Sequence, residues 1–185
     1  MSMQNPVYNL PARALHWLVL GLLAVQYIGA QILPEGEDGG ARTAPAAGSL
    51  VDWHMSLGVL IGLVIVVRLA WRVTWKAPAP PENQPAWQEK AASLTHLALY
   101  GLLVLIPLAG WAWASALSWT VTLFHTLSLP PLVAAGTWPD LFGNLHALMG
   151  NLMLAAVGLH LVAALWHQFV LRDGLLRRMW PRRNG

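Results

Sequence analysis

Cysteine is absent from the 185-residue chain. That excludes disulfides, iron–sulfur clusters, covalently attached c-type heme and thiolate metal sites together. Charge is nearly as scarce. Asp, Glu, Lys and Arg make up 10% of the residues, where a soluble domain carries about 25%. With 56% hydrophobic residues, the chain reads as an integral membrane protein. The features of a cleavable signal peptide are also missing. No basic segment precedes a short apolar core and a small-residue cleavage site, and Arg13 leads straight into a run long enough to span. A retained first helix is therefore expected. Eleven tryptophans fit aromatic belts at the two membrane surfaces.

Four apolar segments are present, at about 14–33, 53–71, 91–117 and 141–171. Each is long enough for a helix of ~20 residues across a ~30 Å hydrocarbon layer. No repeat or low-complexity stretch interrupts them. The sequence therefore predicts an all-α integral membrane protein, a four-transmembrane-helix bundle forming a single membrane domain over residues 1–185.

The linkers differ in charge. Residues 118–140 contain no Lys or Arg, and residues 34–52 contain only Arg42. The other ten of the eleven basic residues, from Arg13 and Arg68 to the tail Arg172, Arg177, Arg178, Arg182 and Arg183, fall on the opposite face. The positive-inside rule puts both termini and the second linker in the cytoplasm. The outer segments carry Arg42 against Glu35, Glu37, Asp38, Asp52 and Asp140. Membrane lipid is an expected partner; nucleic acid is not.

The segment Asn144–His167 holds three histidines, His146, His160 and His167, and no charge lies between Asp140 and Arg172. His146 and His160 are fourteen residues apart, so on a helix they project within about 40° of each other and ~21 Å apart in depth. His167 follows ~10 Å further on, about 20° from His160. An imidazole in hydrocarbon needs a partner. With the orientation above, His54 lies near the outer end of helix two, level with His146, and His16 near the inner end of helix one, level with His160. Two depth-matched pairs, each drawn from two helices, suit bis-imidazole ligation of two hemes inside a bundle. Zinc fits less well, because acidic and thiolate companions are lacking.

Other residues fit this reading. Gly58 and Gly150 each follow a paired histidine by one turn, where they let either a flat macrocycle or a neighbouring helix approach the backbone. Arg68 lies fourteen residues after His54, and either meets a heme propionate or snorkels to the surface. His96 is placed at the cytoplasmic edge of helix three, in a surface role. His125 is expected to be solvated or interfacial. His167 is a candidate to hydrogen-bond a quinone carbonyl, with an interfacial role as the alternative.

The chain also carries a set of ordered motifs: RALHW at Arg13–Trp17, HMSLG at His54–Gly58, VVRLAWR at Val66–Arg72, HLALY at His96–Tyr100, IPLAG at Ile106–Gly110, NLHAL at Asn144–Leu148, GLH at Gly158–His160 and LLRRMWPR at Leu175–Arg182. In order and spacing the chain resembles the bacterial cytochrome b561 family of diheme membrane proteins, and within it the superoxide oxidase branch. The resemblance implies two heme b groups on His16, His54, His146 and His160, and a quinone pocket near His167. It implies electron transfer from superoxide at the outer face to ubiquinone. Two other readings stay open. One is a cytochrome b relay subunit linking a periplasmic redox enzyme to the quinone pool. The other is a non-redox helical scaffold or transporter.

Overall fold

The computed structural model describes residues 7–33, 43–75, 78–79 and 84–180. Arg42, Glu35, Glu37 and Asp38 of the outer charge count, and Lys76, Arg182 and Arg183 of the inner, lie outside the described residues. Four helices are long and apolar enough to cross a membrane. They are α1 (Leu10–Gln31), α2 (Leu50–Thr74), α3 (Ala86–Ala116) and α4 (Pro139–Trp166).

Each start has a local cause. The Asn9 side chain accepts the Ala12 amide at 3.1 Å, and Pro11 sits in the first turn of α1, where a missing N–H costs nothing. Ser49 caps α2 by accepting the Asp52 amide at 3.3 Å. Pro139 opens α4 after Trp138 in the left-handed region, φ 43°. The end of α4 is irregular. Residues His167–Leu171 form a π turn, and Arg172 then takes φ 53°. The chain doubles back from there.

One boundary and one linker differ usefully from the hydropathy reading. α3 begins at Ala86 rather than near 91, because the polar run Gln88–Lys90 continues the helix beyond its apolar part. Its interior Pro107 is tolerated within a membrane bundle, where neighbours can satisfy freed backbone groups. The linker after α3 is not featureless. It holds a small antiparallel hairpin, β1 (Thr122–Leu123) with β2 (Leu127–Ser128), in the register Thr122↔Ser128 and Leu123↔Leu127.

Helix α1 packs on α2, α2 on α3 and α3 on α4, while α4 does not pack closely along α1 or α2 among the described residues. The buried core is small: Val19, Ile61, Ile65, Leu103 and Met153. Large apolar side chains such as Leu63, Val73, Leu97, Leu159 and Val162 are exposed. In water such a surface would aggregate; in a bilayer it is the lipid-facing surface.

Both ends of the bundle are fastened by hydrogen bonds. At the hairpin end, buried Asp52 accepts from Gly48 N at 2.9 Å and Thr122 Oγ1 at 3.2 Å, and pairs with His125 Nδ1 at 2.7 Å. Ser56 Oγ donates to the Thr122 carbonyl at 2.8 Å and accepts from Phe124 N at 3.1 Å. His125, read from sequence as solvated or interfacial, is exposed at this end and also clips the hairpin through Asp52. At the basic end the tail closes over α1. Trp17 Nε1 donates to the Met179 carbonyl at 2.9 Å, and Arg13 Nη1 to that of Trp180 at 3.1 Å. Arg178, 4% exposed, donates to the Ala79 carbonyl at 2.7 Å.

Candidate functional site

The open seam between α4 and the α1–α2 pair is bridged by imidazoles. At the hairpin end, the rings of His54 (α2) and His146 (α4) have centres 6.0 Å apart and planes at 80°. At the basic end, His16 (α1) and His160 (α4) are 6.3 Å apart at 64°. Two imidazoles on opposite sides of one iron, each nitrogen about 2 Å from the metal, hold their ring centres about 6 Å apart. Both pairs have this spacing. They come from helices that do not pack closely along α4, which leaves room for a flat group between them.

His146 is held for such a role. Its Nδ1 meets the Ile106 carbonyl at 3.0 Å. A carbonyl only accepts, so Nδ1 carries the proton and Nε2 keeps its lone pair. The ring lies on Gly110, where an added Cβ would be 2.9 Å from His146 Cε1 and 3.0 Å from Nδ1. Glycine is required there for close approach. Trp113 flanks the same ring at 6.3 Å and itself lies against Gly143. On the facing side, the Nδ1 of His54 is buried without a hydrogen-bond partner, so the protein alone does not satisfy this ring.

The basic-end pair is more crowded. Arg68 Nη2 donates to His16 Nδ1 at 3.1 Å, and Arg68 Nε donates to the Tyr100 hydroxyl at 3.1 Å. Arginine has no acceptor atom, so a neutral His16 in this contact carries its proton on Nε2. Ligation through Nε2 needs that nitrogen bare. Arg68 must then turn to another acceptor, and a propionate would be one. Arg68 and Arg72 lie 5.7 and 5.6 Å from the centre of the Tyr100 ring, beside a cavity of about 180 Å³ lined also by Tyr8, Asn9 and Trp71.

His96 corrects the sequence reading. Its ring lies 5.4 Å from His160, inside the basic-end cluster rather than at a surface. The earlier start of α3 is the reason, since it carries His96 ten residues into the helix. Its ring is closer to His160 than the spacing of either bridging pair. Of the two glycines, Gly58 has only the Gln26 side-chain nitrogen nearby, 3.6 Å from an added Cβ, and Gly150 faces open space.

His167 stands apart from both pairs. Its Nδ1 is hydrogen-bonded to Asp173 Oδ2, and its side chain is 11% exposed. Sequence reading missed three of the groups at these sites. They are Asp173, the Ile106 carbonyl and Gly110, which had appeared only inside a motif.

Known proteins match the chain along nearly its whole length. The family model for prokaryotic cytochrome b561 matches residues 7–182. Cytochrome b561 homolog 1 of Escherichia coli (strain K12) is 29% identical over 176 residues, covering 92% of this chain and 94% of the relative. Cytochrome b561 homolog 2 of the same strain is 30% identical over 177 residues, covering 93% and 90%. A probable superoxide oxidase CybB from Yersinia pestis is 26% identical over 178 residues, covering 92% and 94%. Four spanning helices and a family match along nearly the whole chain agree: this protein belongs to the prokaryotic cytochrome b561 family of membrane electron-transfer cytochromes, whose cofactor is heme b.

Proposed function

We propose that the chain carries electrons across a bacterial inner membrane between two heme b sites, from a donor at the hairpin end to a quinone at the basic end. The observation that carries this is the pair of imidazole bridges at 6.0 and 6.3 Å, one near each end of the bundle. His54 with His146, and His16 with His160, would hold the two hemes. The excess of Lys and Arg at the basic end supports reading that end as cytoplasmic.

Heme supplies one-electron redox chemistry when bound. The side chains do the rest. The Ile106 carbonyl keeps the proton of His146 on Nδ1 and fixes the ring plane. Gly110 allows the ring its position. Arg68 would neutralise a propionate, and Gly58 and Gly150 leave room beside the histidines. The apolar helices keep water from the path. At the basic end His167 meets a carbonyl of ubiquinone. With superoxide as donor the reaction balances as two superoxide, one quinone and two protons giving two dioxygen and one quinol.

One observation favours a second reading, a relay subunit fed by a periplasmic redox protein. The outer segments hold one basic residue against five acidic ones, a field that repels an anionic donor. Two measurements test these readings. A reduced-minus-oxidised spectrum with heme quantitation is expected to show two heme b per chain. His54→Ala and His160→Ala are expected to lose different hemes. A colourless preparation made with ample heme would refute both readings. Stopped-flow mixing with superoxide then separates them: no heme reduction refutes superoxide and leaves the relay.

A further inference from the structure

The turn after α4 is built to bring Asp173 onto His167. On a regular helix, residues six apart point about 120° away from each other and lie ~9 Å apart along the axis. These two are hydrogen-bonded nonetheless. Two irregularities achieve it. The π turn at His167–Leu171 widens the last coil, and Arg172 at φ 53° reverses the chain, with its N–H returning to the His167 carbonyl. The left-handed region is costly for a residue with a Cβ. π turns inside helices occur often at functional sites. The carboxylate is itself fixed, because Asp173 Oδ1 accepts the Leu175 amide at 2.9 Å. His167 Nε2 has no hydrogen-bond partner among the described residues.

We propose that Asp173 is the positioning residue for His167 in quinone reduction, an inference that rests on the quinone reading above. The carboxylate holds the Nδ1 proton, which fixes the ring plane and leaves Nε2 to face the substrate. It also balances the positive charge while the ring holds two protons. Nε2–H donates to a quinone carbonyl oxygen. As an electron arrives from the basic-end pair, the N–H bond breaks and an O–H bond forms. The neutral ring keeps its Nδ1 proton, and Nε2 is reprotonated by water at the basic end. Two electrons and two protons complete one quinol. Asp173 touches neither the quinone nor an iron; it acts through His167.

The experiment uses purified, heme-loaded protein, reduced beforehand and mixed with a short-chain ubiquinone in a stopped-flow spectrometer. The expected results for Asp173→Asn are full heme content, an unchanged α-band and unchanged heme reduction by dithionite. Reoxidation by saturating quinone falls about tenfold or more, the scale of a general acid held in the wrong state. The half-saturating quinone concentration moves less than the rate, and the slowing in heavy water grows. Asp173→Glu recovers part of the rate. His167→Ala separates the two levels of the argument. If His167→Ala is slow and Asp173→Asn reoxidises as fast as the native protein, the role of Asp173 is refuted. If His167→Ala is also fast, the quinone reading at this histidine fails with it. Loss of heme in Asp173→Asn would make the carboxylate a structural tie and would likewise overturn the proposal.

Discussion

Gly110→Ala places one methyl group between α3 and a proposed heme ligand. The new Cβ would sit 2.9 Å from His146 Cε1 and 3.0 Å from Nδ1. Real carbon contacts need about 3.5 Å or more, so the ring has to move by about half an ångström. Two costs follow. The hydrogen bond to the Ile106 carbonyl, 3.0 Å long, is strained or lost, at about 1 kcal/mol. The ring leaves its preferred torsion, at about 1 kcal/mol more. Together these come to about 2 kcal/mol against the productive ring position, or roughly thirtyfold in ligand occupancy. The measurement is heme content and the low-spin α-band, with a potentiometric titration resolving the two hemes. The hairpin-end heme is expected to become partly five-coordinate or to be lost, while the basic-end heme keeps its midpoint. Gly101→Ala is the control on the same helix, because an added Cβ there meets nothing within 4 Å. If Gly110→Ala retains both hemes with unchanged spectrum and midpoints, His146 does not ligate a heme from the position described.

Other outcomes follow from the same geometry. Asp52→Ala strips the acceptor from Gly48 N, Thr122 Oγ1 and His125 Nδ1. A loss of about 2–3 kcal/mol is expected, seen as a lower Tm with early proteolysis near the hairpin; an unchanged Tm would mean the clip is not needed. His96→Ala is expected to keep both hemes by pyridine-hemochrome assay, whereas His160→Ala loses one; heme loss from His96→Ala would exchange the ligand assignment. The cysteine-free sequence permits a direct topology test. Leu127→Cys should react with an impermeant maleimide in intact spheroplasts, and Trp180→Cys only after lysis. The reverse pattern would invert the electron path.

The sequence is most informative where apolar length and histidine depth speak together. The four spans were visible in composition, and matching His54 to His146 and His16 to His160 needed only rise per residue and charge placement. Depth says nothing of ring spacing, which depends on how far apart the helices stand. His96 was misplaced because the apolar edge of a segment is not the edge of its helix: Trp87–Lys90 are polar or amphipathic yet helical. The hairpin escaped notice because two-residue strands have no periodicity to read. Asp173 lies at a spacing that a regular helix cannot use, so only the π turn and the reversal at Arg172 reveal it. The Ile106 carbonyl is backbone, and no residue type announces a backbone acceptor.

The seam has a consequence for the order of assembly. Each imidazole bridge takes one member from α4, the last of the four spanning helices to be synthesised. His16 emerges from the ribosome 144 residues before His160, which at ordinary synthesis speeds is roughly seven to thirty seconds. For that time α1, α2 and α3 lie in the membrane with half of each site and nothing to close it. The tail that clasps Trp17 and Arg13 arrives later still. On the two-heme proposal, closure of both sites is therefore one event that waits for α4, and a chain truncated before α4 is expected to bind neither heme.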